Sequence, residues 1–144
     1  MSSTSPEAAA DRYVAWWRGL PDTLGETQQI FAPQGRFVDP FSDIGGNAAI
    51  ERHLRKGYGK LHDVRITVTD RAYSGRICYL RWSFVFRLGR EGRERKIIGM
   101  SEIHFDENGA VTLHFDHWDA ASQVYEDIPI LGGILRTLKK RIGG

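Results

Sequence analysis

The chain reads as an α+β protein, with helices first, strands after them and a helical tail. Three observations carry that reading. Apolar residues recur at helical spacing early in the chain, at Tyr13, Trp16, Trp17 and Leu20. From residue 64 onwards the pattern alternates in runs such as CYLRWSFVFRL and KIIGMSEIHF, as half-buried strands do. Turn signals, above all Asn108-Gly109, join these runs into hairpins.

Each element follows from its residues. Ser5, Pro6 and Glu7 supply a cap, a fixed φ and an acid near the positive end of the first helix. Pro21 and Asp22 break that helix and start a second, with Leu24, Gln28 and Phe31 along one side. RFVD, residues 36–39, is a short strand. Asn47 is suited to cap a third helix that carries Ile50 and Leu54 and is ended by Gly57 and Gly59. Four strands follow: VRITVTDRAY, CYLRWSFVFRL, KIIGMSEIHF and AVTLHFDHW. From Asp119 the pattern is helical again, and Pro129 divides it into two short pieces. With no repeat or linker, residues 1–144 are expected to form one domain. Residues 1–5 are its disordered tail and 120–142 a helical extension.

Composition narrows the function. With 20 basic against 18 acidic residues and a net charge of +2, the chain lacks the concentrated basic face that nucleic acid wants. One cysteine, Cys78, precludes an internal disulfide, and no Cys/His spacing suits zinc. His104, His114 and His117 lie close in sequence, but strand alternation puts His114 on the opposite face from the other two. Neither a metal nor an organic cofactor is expected. The N-terminus lacks the basic and apolar regions of a signal peptide, and no stretch approaches the roughly 20 apolar residues of a membrane span. A reducing cytoplasm is the expected compartment.

Hairpin registers assign the faces. A loop at Asn108-Gly109 sets Phe105 opposite Thr112, Ile103 opposite His114 and Ser101 opposite Asp116. A loop at Arg90-Glu91 sets Phe84 opposite Ile97, Trp82 opposite Gly99 and Leu80 opposite Ser101. One face then holds Leu80, Trp82, Phe84, Phe86, Ile97, Ser101, Ile103, His114, Asp116 and Trp118, apolar with isolated polar groups, as a ligand cavity is. The other holds Tyr79, Arg81, Val85, Met100, Glu102, His104, Leu113, Phe115 and His117. Large side chains there need cover, and a second subunit is the simplest cover.

Together FVDPF at 37–41 after two helices, the GG-N-AAI helix start at 45–50, IHFDENGAV at 103–111 and HFDHWDAASQVYEDIP at 114–129 resemble the NTF2-like superfamily, in its SnoaL-like and ketosteroid isomerase-like branch. The resemblance implies an NTF2-like cone, a curved mixed or antiparallel sheet wrapped around N-terminal helices, often dimeric through its outer face. Asp39 matches the isomerases' proton-shuttling aspartate, and Tyr13 roughly matches their oxyanion-donating tyrosine. Ser101 stands where they keep a protonated aspartate. SnoaL-like polyketide cyclases place an acid–base aspartate on the last strand, where Asp116 lies. Epoxide hydrolases of the superfamily pair carboxylates with an inward arginine, whereas Arg81 belongs to the outer face.

Each candidate has a plainer role beside the chemical one. Asp39 before Pro40 is a good strand terminator and turn former; at a cavity wall it is a usable general base. Asp116 inside a strand is disfavoured and needs a partner, Ser101 or a backbone amide, unless it works on a ligand. His114 is a core histidine or a proton relay. Tyr13 is core with its hydroxyl on a polar partner, or an oxyanion donor. The expected site therefore comprises Asp39, Asp116, His114 and Tyr13 as catalytic candidates and Trp16, Trp82, Phe84, Ser101, Ile103 and Trp118 as pocket walls around a small apolar ligand. Two classes stay open, an acid–base enzyme of isomerase or cyclase type and a non-catalytic module binding a ligand or protein. The C-terminal IPILGGILRTLKKRIGG is amphipathic. Docking on its own domain or on a dimer mate is favoured over attachment to an anionic membrane.

Overall fold

Ser5 opens the first helix as expected. In the computed structural model, which describes residues 2–124 and 129–143, its side chain accepts the Ala8 N–H at 3.1 Å. Helix α1 (Pro6–Arg18) ends at Gly19 and buries Tyr13, Val14, Trp16 and Trp17. Thr4, placed by the sequence in a disordered tail, is hydrogen-bonded. Its N–H donates to the Glu107 carbonyl at 2.9 Å, and its own carbonyl accepts from Arg76 Nη2 at 2.7 Å.

The second helix is shorter than its apolar spacing suggests. A 3-10 turn (Leu24–Glu26) leads into α2 (Thr27–Ile30), and Phe31 already begins β1 (Phe31–Asp39). Pro33 accounts for part of this, because the residue before a proline is pushed to extended geometry. A strand that the sequence reading missed, β2 (Ser42–Gly45), follows across a two-residue turn at Pro40-Phe41, with Asp39 facing Ser42. Helix α3 (Asn47–Tyr58) is preceded by Gly46 at φ 92°, a left-handed position that suits glycine. Asn47 does not cap it. Its side-chain amide instead donates to the carbonyls of Gln28 and Phe31, at 3.3 and 3.4 Å, and so ties α3 to the α2–β1 corner. The helix runs through Gly57 and stops at Gly59.

Strands β3 (Leu61–Ser74), β4 (Ile77–Leu88), β5 (Glu94–Phe105) and β6 (Val111–His117) complete a curved six-stranded sheet in the order β2-β1-β6-β5-β4-β3. Only β1 and β6 run parallel, so the sheet is mixed. Its concave face packs against α1 and α3 over Leu80, Ile103 and Ile50, all fully buried. Burying side chains of this size is worth roughly 1.5–3 kcal/mol each.

The inner-face registers are the expected ones: Leu80 faces Ser101, Trp82 faces Gly99, Phe84 faces Ile97, Ser101 faces Asp116 and Ile103 faces His114. One pair differs, since Phe105 faces Val111 and not Thr112. The Asp106 carboxylate closes the turn by accepting the N–H groups of Asn108 and Ala110, at 2.9 and 3.0 Å. Thr112 becomes the extra residue of a bulge. That bulge absorbs the slip before Ile103 and His114 pair, so the site registers survive.

Ile98 and Met100 are each 48% exposed on the outer face, where Arg81 also lies. Helix α4 (Ala120–Gln123) is capped by Asp119, and α5 (Pro129–Gly143) runs unbroken through Gly132-Gly133. Residues 125–128 of the C-terminal motif lie outside the described residues. Among the described residues no helix is long and apolar enough to cross a membrane.

Candidate functional site

The mouth of the cone holds a cavity of about 370 Å³. Helix α1 supplies Tyr13, Trp16 and Trp17 to its wall, β1 supplies Phe37 and Asp39, and α3 supplies His53, Leu54 and Tyr58. Phe84 and Phe86 on β4, Ile97 on β5, and Trp118 and Val124 beyond β6 close the other side. A largely aromatic wall with a few polar groups has the volume and character of a small-ligand site.

Tyr13 is the cavity residue with the deepest connections. It contacts His114 Nδ1 through its hydroxyl. His114 is 1% exposed, and its Nε2 lies 2.6 Å from Asp116 Oδ1. That same oxygen accepts the Ser101 hydroxyl, and Ser101 Oγ accepts the Trp82 indole N–H at 2.8 Å. A carboxylate only accepts, so His114 donates through Nε2–H, and its Nδ1 is left to accept the Tyr13 O–H. The result is a directed chain from two ends, Trp82 through Ser101 and Tyr13 through His114, meeting on one carboxylate oxygen.

Aromatic rings fix the imidazole in place. Phe37 stacks on it at 4.5 Å and 11°, and Tyr13 and Trp17 lie within 6.0 Å. Burial, then the Asp116 charge and then Tyr58 push the Tyr13 phenol well above its ordinary value. Burial and the Asp116 charge also raise Tyr58, against a hydrogen bond to Trp17 that lowers it. Both phenols are therefore kept protonated, ready to donate.

The expected residues fall into two layers. Tyr13, Asp39, Trp16, Phe84 and Trp118 line the cavity. His114, Asp116, Ser101, Trp82 and Ile103 are not in its wall; they form the buried layer behind Tyr13. Asp39 is separate from the chain at the rim, half-buried, with Oδ1 accepting the Phe41 N–H at 2.8 Å. The plainer turn-forming role is thus realised, and the carboxylate lines the cavity as well. Phe37, His53 and Tyr58 were not foreseen. Phe37 sits two residues before Asp39, on the same strand face. His53 and Tyr58 follow Ile50 and Leu54 at three and four residues, the spacing of one helix face.

A family model for the SnoaL-like domain matches residues 9–114, and the chain belongs to that family. Solved structures agree on the NTF2-like cone. A hypothetical protein of ketosteroid isomerase-like fold from Catenulispora acidiphila DSM 44928, crystallised with trimethylamine, shares 18% identity over 84% of this chain and 92% of its own, at a TM-score of 0.69. An NTF2-like protein of unknown function from Burkholderia pseudomallei K96243 shares 15% identity over 84% of this chain and 95% of its own, at 0.71. An epoxide hydrolase of M. tuberculosis, described as LEH-like, shares 14% over 99% and 98%, at 0.69. At these identities the likeness is one of fold. No curated protein matches the chain.

Proposed function

We propose that the protein binds a small, largely apolar molecule in this cavity and exchanges protons with it. The observation that carries the reading is the placement of Tyr13, with one side in the cavity wall and its hydroxyl on the His114–Asp116 pair. Of the four catalytic candidates, only Tyr13 and Asp39 touch the ligand in this reading. Asp39 takes a proton from carbon at the rim, and Tyr13 turns its single O–H from His114 Nδ1 to the oxygen on which charge develops. Neutral His114 accepts at Nδ1, so a proton arriving at Tyr13 passes to Nδ1 and leaves an imidazolium held by Asp116. That imidazolium then returns the proton to Tyr13 through Nδ1–H. His114 and Asp116 therefore act as a reservoir behind Tyr13, and Ser101 and Trp82 hold Asp116 in position. Isomerase- and cyclase-type proton transfers both fit this arrangement.

Hydrogen exchange tests it. Carbon-bound protons of a cyclic enone, followed by NMR in heavy water, exchange faster with the protein present. In Tyr13→Phe and Asp39→Asn that acceleration falls by about 10²–10⁴-fold, the range for a lost acid–base group, while enone binding persists. An equal rate in wild type and both variants would sink the catalytic reading.

A second reading has its own support. The carboxylates are engaged, Asp39 by the Phe41 N–H and Asp116 by Ser101 and His114. A non-catalytic binding module would show this, and the enone would then bind without exchange. In both readings residues 1–144 act as one SnoaL-like domain, and the outer face carrying Ile98 and Met100 joins two copies into a homodimer.

A further inference from the structure

We propose that α5 attaches the protein to an anionic lipid surface. The helix is fifteen residues long and carries Arg136, Lys139, Lys140 and Arg141 with no acidic residue. The whole chain nets only +2, so the rest of it, apart from these four cations, carries a net negative charge.

Its contacts leave the apolar side outward. Gly132 is buried and Leu135 partly so, and Lys139 Nζ contacts Ser122 Oγ beside α4. That edge faces the protein. At about 100° per residue, Leu131, Ile134, Leu138 and Ile142 form a stripe next to it, and they are 38, 54, 47 and 85% exposed. Docking on the chain's own domain, one of the two docking modes favoured from sequence beside a dimer mate, therefore does not cover this stripe. The same geometry puts Arg141 on the outer border of the stripe and Lys139 on the inner one, where its Nζ is engaged by Ser122 and lies near Asp119. Long cationic side chains flanking an apolar stripe lie along it and reach out to headgroup phosphates while the aliphatic residues enter the acyl boundary.

Charge selects this occupant over a second copy of the chain. Two α5 helices meeting stripe to stripe would bring Lys139 and Arg141 near the mate's cations with no acid on either helix; Asp119, the cap of α4, lies near Lys139 alone. An anionic bilayer supplies the opposite charge, and each basic residue near it strengthens binding.

Co-sedimentation of the full chain with vesicles tests the proposal. The protein pellets with vesicles of phosphatidylcholine mixed with phosphatidylglycerol, and much less with phosphatidylcholine alone. Salt weakens the binding, since charges are screened beyond a Debye length of about 8 Å at physiological ionic strength. Ile134→Glu combined with Leu138→Glu leaves the circular dichroism spectrum unchanged and weakens binding at least about tenfold. Lys139→Glu with Arg141→Glu weakens it by a similar factor on anionic vesicles only. Failure of the wild type to bind anionic vesicles overturns the proposal, as does equal binding by the apolar double variant. If that variant instead changes only the mass in solution, the stripe is a contact between copies and the proposal is wrong.

Discussion

In the proposed reading, Tyr13 concentrates the chemistry of this molecule in one atom. Its phenol is buried, sits near the Asp116 charge and is pushed well above its ordinary value of 10.0. The sign of the consequence for stability is fixed. Below that value both the folded and unfolded chain keep the proton. Above it the unfolded chain ionises and the folded one does not, so stability falls as pH rises, by up to about 1.4 kcal/mol per pH unit for one phenol. Urea denaturation above this value gives a stability that declines with pH, and Tyr13→Phe flattens the decline by about one proton. An unchanged slope in the variant would show that the hydroxyl meets water. Sequence could name Tyr13, Asp116 and His114 separately and could place the last two beside Ser101, because turn chemistry fixes cross-strand neighbours. It could not join Tyr13 to His114, since nothing in a sequence pattern sets the height at which a helix crosses a sheet.

At the scale of elements, β5 shows how a missing side chain shapes the site. Gly99 faces Trp82, and a Cβ there would lie 2.7 Å from the Trp82 ring and 2.9 Å from the Trp118 Cβ. The gap allows the indole to lie across β5 and donate to Ser101. Gly99→Ala forces two aromatic side chains apart and costs about 1–3 kcal/mol, as overpacking does. Thermal unfolding measures it, and an unchanged midpoint would mean that both rings move freely. In the sequence Gly99 was merely the residue opposite Trp82, and Trp82 was read as a pocket wall. Its true place behind the wall depends on this gap, which alternation cannot show. Likewise β2 escaped notice because four residues carry too little pattern, although Asp39-Pro40-Phe41 was recognised as a turn former. The Thr112 bulge was equally illegible, since the Asp106 carboxylate, not Asn108-Gly109 alone, sets the length of that turn.

The whole molecule was legible in outline, helices then a wrapped sheet, because periodicity of 3.6 against 2 separates the halves of the chain. What the outline leaves open is how its exposed surfaces are covered. The outer sheet face presents Ile98 and Met100, each half-exposed, beside the stacked Phe115 and His117 rings. If two copies meet there, light scattering reports a mass of two chains for wild type and of one chain for Ile98→Glu combined with Met100→Glu. A single-chain mass for the wild type would refute the homodimer. This face and the α5 stripe answer to different assays, so loss of one association need not disturb the other.

The four tryptophans also have a joint consequence. Trp16, Trp17 and Trp118 line the cavity, and Trp82 meets Trp17 edge to face at 5.7 Å while holding Ser101. No tryptophan lies elsewhere in the chain. The near-ultraviolet emission of the protein therefore originates at a single location. Excitation energy passed between these indoles stays around the cavity, so the native fluorophores form a built-in optical gauge of whether a ligand enters the cone.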